Sequence, residues 1–188
     1  MASKVRFGLK NVHYAVLTET VTDGVPSYTW ATPVAVPGAV TLDLAASGDI
    51  SNFYADNIVY CASKGASGYS GDLEVALVPD QMLTDLFGYA QDATSKVLVK
   101  SNQSAPVRFA LLYQIDGDEE NNLFVLYNCT ATDPNVGSAT VTETTDPQTQ
   151  SMTITASALA DGTILGRTTA ETPEATRTAW FDSVFRTA

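Results

Sequence analysis

Histidine is almost missing from this chain and cysteine is scarce: its 188 residues hold one histidine, His13, and two cysteines, Cys61 and Cys129. A Ser-His-Asp triad would have to use His13, yet no Gly-x-Ser-x-Gly elbow or suggestively spaced cysteine accompanies it. His13 therefore reads as a structural histidine within a strand. One histidine and two distant cysteines make a poor zinc ligand set. The cysteines form no Cys-x-x-Cys pair and read as small buried hydrophobes in a reducing compartment. Basic residues are also few, ten against 21 acidic ones, for a formal charge of -11. A tight nucleic-acid binder neutralises phosphates with Lys and Arg, so this composition argues against one. Long apolar runs are absent too: no segment reaches the ~18 consecutive apolar residues of a membrane helix. The opening Met1–Arg6 lacks the apolar core and cleavage site of a signal peptide. The expectation is a protein made and kept in a cytoplasm unless a larger machine carries it out, with no membrane partner. Without a secretion signal, the glycosylation patterns at Asn102-Gln103-Ser104 and Asn128-Cys129-Thr130 carry little weight.

The apolar fraction of 45% with only 16% charged residues supplies a hydrophobic core and excludes disorder. The length fits one domain, since a single core serves up to roughly 250 residues. The dominant signal is period-two alternation in stretches rich in Val, Thr, Tyr and Phe, which predicts strands. Residues 11–18 place Val12, Tyr14 and Val16 on one face. Residues 39–45 place Val40, Leu42 and Leu44 opposite Thr41 and Asp43. Prolines 26, 33 and 37 mark 20–38 as a loop or edge segment. Residues 50–61 predict a long strand or hairpin arm with Tyr54, Asp56, Ile58 and Tyr60 on one side. Residues 71–78 alternate, with Leu73, Val75 and Leu77 opposite Asp72, Glu74 and Ala76. Residues 106–130 predict a hairpin, and 148–157 alternate again, with Met152, Ile154 and Ala156 opposite Ser151, Thr153 and Thr155. The Thr-rich 131–147 fits a loop or an edge strand.

Two segments change period. Met82, Leu83, Leu86 and Phe87 predict a short amphipathic helix over about 80–87, capped by Asp80 and closed by Gly88. Near the end, Thr172 as N-cap and Pro173 at the first helical position predict a helix over about 173–186. Trp180 with Val184, and Phe181 with Phe185, would then share one face.

Three patterns have bland readings. Gly65, Gly68 and Gly71 match neither a dinucleotide fingerprint nor a P-loop, and read as a flexible turn over 65–71. Asp116-x-Asp118-x-Glu120 opens like a calcium loop, but Asn121 and Tyr127 stand where Gly and Glu are needed. It reads as a solvated hairpin turn. Twenty-one carboxylates leave a glycosidase pair conceivable, but no cluster stands out. The reading is a non-enzyme with no catalytic, cofactor or metal residues.

Several segments, taken in order, carry a resemblance. They are Val5-Arg6-Phe7-Gly8-Leu9-Lys10-Asn11-Val12-His13-Tyr14-Ala15, Pro37-Gly38-Ala39-Val40, Phe53 to Tyr60, Gly68 to Leu77, Phe109 to Tyr113, Pro147 to Gln150 and Trp180-Phe181. The ordered set resembles the major tail proteins of siphophages of Gram-positive hosts, the phi13-type tail tube family, nearly end to end. The turn after Asp116-Gly117 departs from it, being acidic where lysines are expected. The resemblance implies two packed β-sheets, a sandwich or half-barrel, with a flanking helix and a C-terminal helix. It implies rings, typically hexamers, in which neighbouring sheets join into one inner barrel. The implied partners are further copies, a tape measure protein, and the tail terminator and baseplate or distal tail proteins. Double-stranded DNA would pass through without specific binding. The place implied is the virion tail, assembled in the host cytoplasm.

Two sets of residues follow as candidates. The segment 46–66 is expected to be an inter-ring arm through Phe53, Tyr54, Asp56, Asn57 and Tyr60, since exposed aromatics there are flanked by Gly and Ser. The lumen-facing candidates are the polar faces of alternating strands: Thr41, Asp43, Asp72, Glu74, Ser151, Thr153 and Thr155. Two other functions compete. One is a secreted or surface β-sandwich module binding carbohydrate or protein, for which Trp30 and the tyrosines would serve. The other is the tube protein of a contractile injection system.

Overall fold

The computed structural model describes residues 8–48, 50–65, 67–101, 105–117, 121–140 and 147–187. The strands are β1 (Leu9–Thr22), β2 (Val25–Trp30), β3 (Val34–Ala35), β4 (Ala39–Ser47), β5 (Ile50–Ala55), β6 (Ile58–Lys64) and β7 (Gly68–Val75). Helix α1 (Asp80–Phe87) precedes β8 (Tyr89–Gln91), β9 (Leu98–Lys100), β10 (Phe109–Ile115), β11 (Leu123–Ala131), β12 (Gln150–Ala156) and β13 (Leu165–Arg167). Helix α2 (Glu174–Thr178) comes last. The protein is mainly β, as its alternation predicts. The acidic residues 118–120, the sequon at 102–104, most of the Thr-rich 141–147 and the opening Val5–Phe7 lie outside the described residues.

One antiparallel sheet of nine strands dominates, in the order β2-β1-β10-β11-β12-β7-β4, with β3 on β1 and β13 on β11. It replaces the two separate sheets expected. The sheet turns because β11 changes partner along its length: Phe124–Leu126 pair with β13, and Cys129–Ala131 pair with β12. Its two halves then face each other across one core. Tyr14, Phe109 and Leu126 from one half meet Leu73, Val75, Met152 and Ile154 from the other. Leu42 and Leu44 of the end strand β4 pack on the same core, as do Met82, Leu86 and Phe87 of α1. A second core lies on the opposite face of β1, β10 and β11, where Ala110, Leu112 and Val125 pack against Leu159 and Trp180. Strands covered on both faces lose alternation. Accordingly Phe109–Tyr113 and Leu123–Cys129 are buried without interruption. β12, covered on one face, alternates between buried and partly or fully exposed positions.

Helix α1 has the expected bounds, and Gly88 closes it at φ 69°. Its N-cap is Pro79, not Asp80; Asp80 sits in the first turn, where a negative charge suits the helix dipole. The Tyr14 hydroxyl donates to Asp85 Oδ2 at 2.8 Å and ties α1 to β1. Burial, then the hydrogen bond to Asp85 and its charge, push the Tyr14 hydroxyl pKa well above the ordinary tyrosine value.

The C-terminal helix is far shorter than 173–186. It spans Glu174–Thr178, with Pro173 at the N-cap, while Thr172 Oγ1 accepts from the Thr169 N–H at 2.9 Å. Beyond it the residues act as separate anchors. Trp180 is buried and donates its indole N–H to the Phe124 carbonyl at 3.4 Å. Its ring stacks on Phe185, five residues on, at 5.8 Å between centroids. Arg186 lies over Tyr28 and Trp30 and donates to Asp161 Oδ2 at 2.6 Å.

The glycine-rich 65–71 is not simply a turn, since β7 already begins at Gly68. A Cβ at Gly68 or Gly71 would run into the backbone of a neighbouring strand, Ala156 for the first and Asp43 for the second. These glycines let three strands approach closely.

Candidate functional site

All seven residues assigned to a polar strand face come together on one surface. β7 lies between β12 and β4, and its register forms cross-strand rows: Thr41–Glu74–Ser151, Asp43–Asp72–Thr153 and Ala45–Ser70–Thr155. Directly opposed residues share a face. Leu42, Leu44, Leu73, Met152 and Ile154 point the other way, into the core. The hydroxyls serve the carboxylates: Thr41 Oγ1 donates to Glu74 Oε2 at 3.0 Å and Thr153 Oγ1 to Asp72 Oδ1 at 2.8 Å. Thr149 also donates to Glu74, and Ser70 and Thr155 hydroxyls meet at 3.5 Å. β4, β7 and β12 contain no Lys or Arg. None of the ion pairs found among the described residues involves Asp43, Asp72 or Glu74. Asp43 and Asp72 stand directly opposite each other, an arrangement that costs stability. The sequence reading missed Ser70 and Thr149. Only the strand register reveals Ser70, and Thr149 lies just outside β12.

Next to this surface the sheet ends. Among the described residues β4 pairs with β7 alone, although its course brings Val40–Leu44 alongside Leu9, Tyr113 and Ile115 across a groove of about 490 Å³. Among those residues the sheet thus ends at β4. This nine-residue strand carries no Lys and no Pro, the devices that blunt exposed edges. At the other end of the sheet, β2 carries Pro26.

The expected arm is a two-stranded hairpin, β5–β6, joined by Asp56 and Asn57. Both have positive φ, 51° and 64°, the requirement of a two-residue type I′ turn, which Asp and Asn tolerate. Because these two form the turn, Tyr54, Asp56, Ile58 and Tyr60 do not line one side of a continuous strand. Among the described residues the hairpin's strands pair only with each other. Phe53, Tyr54, Ile58 and Tyr60 are each more than 60% exposed. A lone two-stranded hairpin is marginal in water. Cys61 on this hairpin is exposed, correcting the expectation that both thiols are buried. Cys129 is buried, and burial pushes its thiol up to about 12.

Elsewhere, His13 donates through Nδ1 to the Asn11 carbonyl at 2.8 Å and stacks on Phe181 at 4.6 Å. Trp30 is half-buried under Arg186, with its N–H on the Tyr127 carbonyl at 3.1 Å, and is not an open platform. No metal-competent cluster of His, Cys, Asp or Glu occurs among the described residues, and no helix is long and apolar enough to cross a membrane. No protein-family model matches the chain, and no curated protein matches it.

Proposed function

We propose that this chain is the repeating subunit of a hollow tube, of the siphophage tail tube type, and not an enzyme. The observation that carries the reading is the meeting, on β4, of two features. Among the described residues its outer edge pairs with no strand, and its exposed face continues an acidic, hydroxyl-rich surface without Lys or Arg. An open edge is completed by another chain. Head-to-tail contacts close into a ring when the rotation fits; a hexamer is the ring the resemblance implies. The polar face of β4, β7 and β12 then lines the passage. DNA carries one charge per roughly 1.7 Å of axis. A lumen bearing Asp43, Asp72 and Glu74 repels it over a Debye length of about 8 Å and lets it slide. The uncovered β5–β6 hairpin joins one ring to the next. The tape measure protein fills the tube before DNA does, and tail terminator and baseplate or distal tail proteins cap its ends. The tube is assembled in the host cytoplasm and resides in the virion tail.

Negative-stain microscopy of the concentrated purified protein tests this, with rings and hollow tubes as the expected result. Deleting residues 48–64 leaves a folded chain that forms no tubes. A parent chain that stays monomeric at every concentration refutes the reading.

A further inference from the structure

The β5–β6 hairpin exposes Phe53, Tyr54 and Tyr60, and the molecule also holds an apolar pocket. The pocket has a volume of about 460 Å³ and lies beneath the C-terminal segment, walled by Tyr127, Leu165, Pro173, Trp180 and Phe185. That is within the range of about 300–1,000 Å³ in which proteins hold small ligands, with room for an aromatic side chain. Two polar groups mark it as a site. Arg167 on its wall is exposed and makes no ion pair among the described residues. Tyr127, 4% exposed, stands on the same wall. Gly166 keeps the space clear: a Cβ there would stand 2.7 Å from the Tyr127 hydroxyl oxygen.

We propose that this pocket receives the β5–β6 hairpin of a second copy, with an aromatic residue in the pocket and Asp56 on Arg167. The inference rests on the tube reading and names the surface that the hairpin meets. The complementarity is specific. The tip offers an exposed carboxylate and an amide, Asp56 and Asn57, beside Tyr54 and Tyr60. The pocket offers the Arg167 guanidinium, outside every ion pair among the described residues, and the Tyr127 hydroxyl, beside Trp180 and Phe185. Within one chain the hairpin springs from β4 at the end of the sheet, whereas the pocket lies over β11 and β13 beside the second core. A contact between two different surfaces of identical chains is heterologous and propagates without limit unless it closes, as axial stacking requires.

Charge exchange on the full chain tests it. D56R and R167D each raise the concentration needed for tube formation by at least about tenfold, since like charges then face each other. The double variant D56R/R167D returns to within about threefold of the parent, because every contact again pairs opposite charges. Both residues are exposed, so circular dichroism and elution of the unassembled chains stay unchanged. A double variant as impaired as its singles overturns the pairing. If R167D assembles like the parent while the 48–64 deletion abolishes tubes, the hairpin seats elsewhere and the tube reading stands. If the parent forms neither rings nor tubes, both fall.

Discussion

Replacing Gly71 with alanine probes how β4, the open end of the sheet, is held. The new methyl would overlap the Asp43 carbonyl oxygen and stand 2.8 Å from its carbon and 3.0 Å from Leu44 Cα. Carbon atoms in contact settle near 3.5–4.0 Å, so β4 must retreat by about 1 Å. The obstacle is backbone, which no rotamer change can move aside. Such a retreat stretches about two ladder hydrogen bonds between β4 and β7, each worth about 1 kcal/mol. It also lifts Leu42 and Leu44 partly off the first core, at about 1 kcal/mol in total against 1.5–3 for full exposure of one such side chain. The expected loss is about 3 kcal/mol, or roughly 6–12 °C in Tm for a chain of this size. Urea unfolding followed by the fluorescence of Trp30 and Trp180 measures it by linear extrapolation. Gly137 is the control: open space surrounds it and its φ is not positive, so Gly137→Ala stays within about 0.5 kcal/mol. If Gly71→Ala matches that control, close strand approach at Gly71 is not what holds β4.

Tyr14→Phe removes the hydrogen bond to Asp85 and costs about 1 kcal/mol at neutral pH by the same unfolding assay. Because the folded Tyr14 pKa is raised, its contribution is fully present below the unfolded value of about 10 and is lost as pH rises above it. Stability of the parent therefore falls above about pH 10, and Tyr14→Phe shallows that fall; an unchanged alkaline slope counts against the Tyr14 assignment. In thiol titration with an aromatic disulfide at pH 8, the native chain releases one fast equivalent, from Cys61, and the second only on unfolding. Two fast equivalents would contradict the burial of Cys129. Exchanging Asp72 and Glu74 for Lys keeps the fold, since both lie on the solvent side of β7, but makes assembled tubes retain double-stranded DNA at low salt and release it at high salt. On the proposed tail tube reading, the same exchange slows DNA ejection from virions that carry it; unchanged ejection and no retention together would remove these residues from the lumen.

Much of this architecture was legible in local pattern. Alternation located β4, β7 and β12 and named the residues of their polar face, because a sheet covered on one side repeats every two residues. Helical spacing and Gly88 placed α1, whose bounds depend on its own short stretch of chain. A long strand or hairpin over 50–61 was readable, although the turn at Asp56-Asn57 was not. Its positive φ values are properties of a backbone already paired. The sequence could not say that one sheet bends over itself, because the cause is β11 exchanging β12 for β13, a long-range choice. It also could not tell that Gly68 belongs to a strand, or that Gly68 and Gly71 must be glycine, since that need comes from the backbones of Ala156 and Asp43, distant in sequence. The C-terminal helix failed for the same reason: Trp180 is drawn to Phe124 of β11, Phe185 stacks on Trp180, and Arg186 is drawn to Tyr28, Trp30 and Asp161, and those contacts outweigh helical spacing. Composition by itself determined an acidic, β-rich chain poor in the residues of metal and triad chemistry. Only tertiary packing decided which carboxylates stand side by side, which strand ends the sheet among the described residues, and which residues wall the pocket, because each depends on registers between segments far apart in the chain.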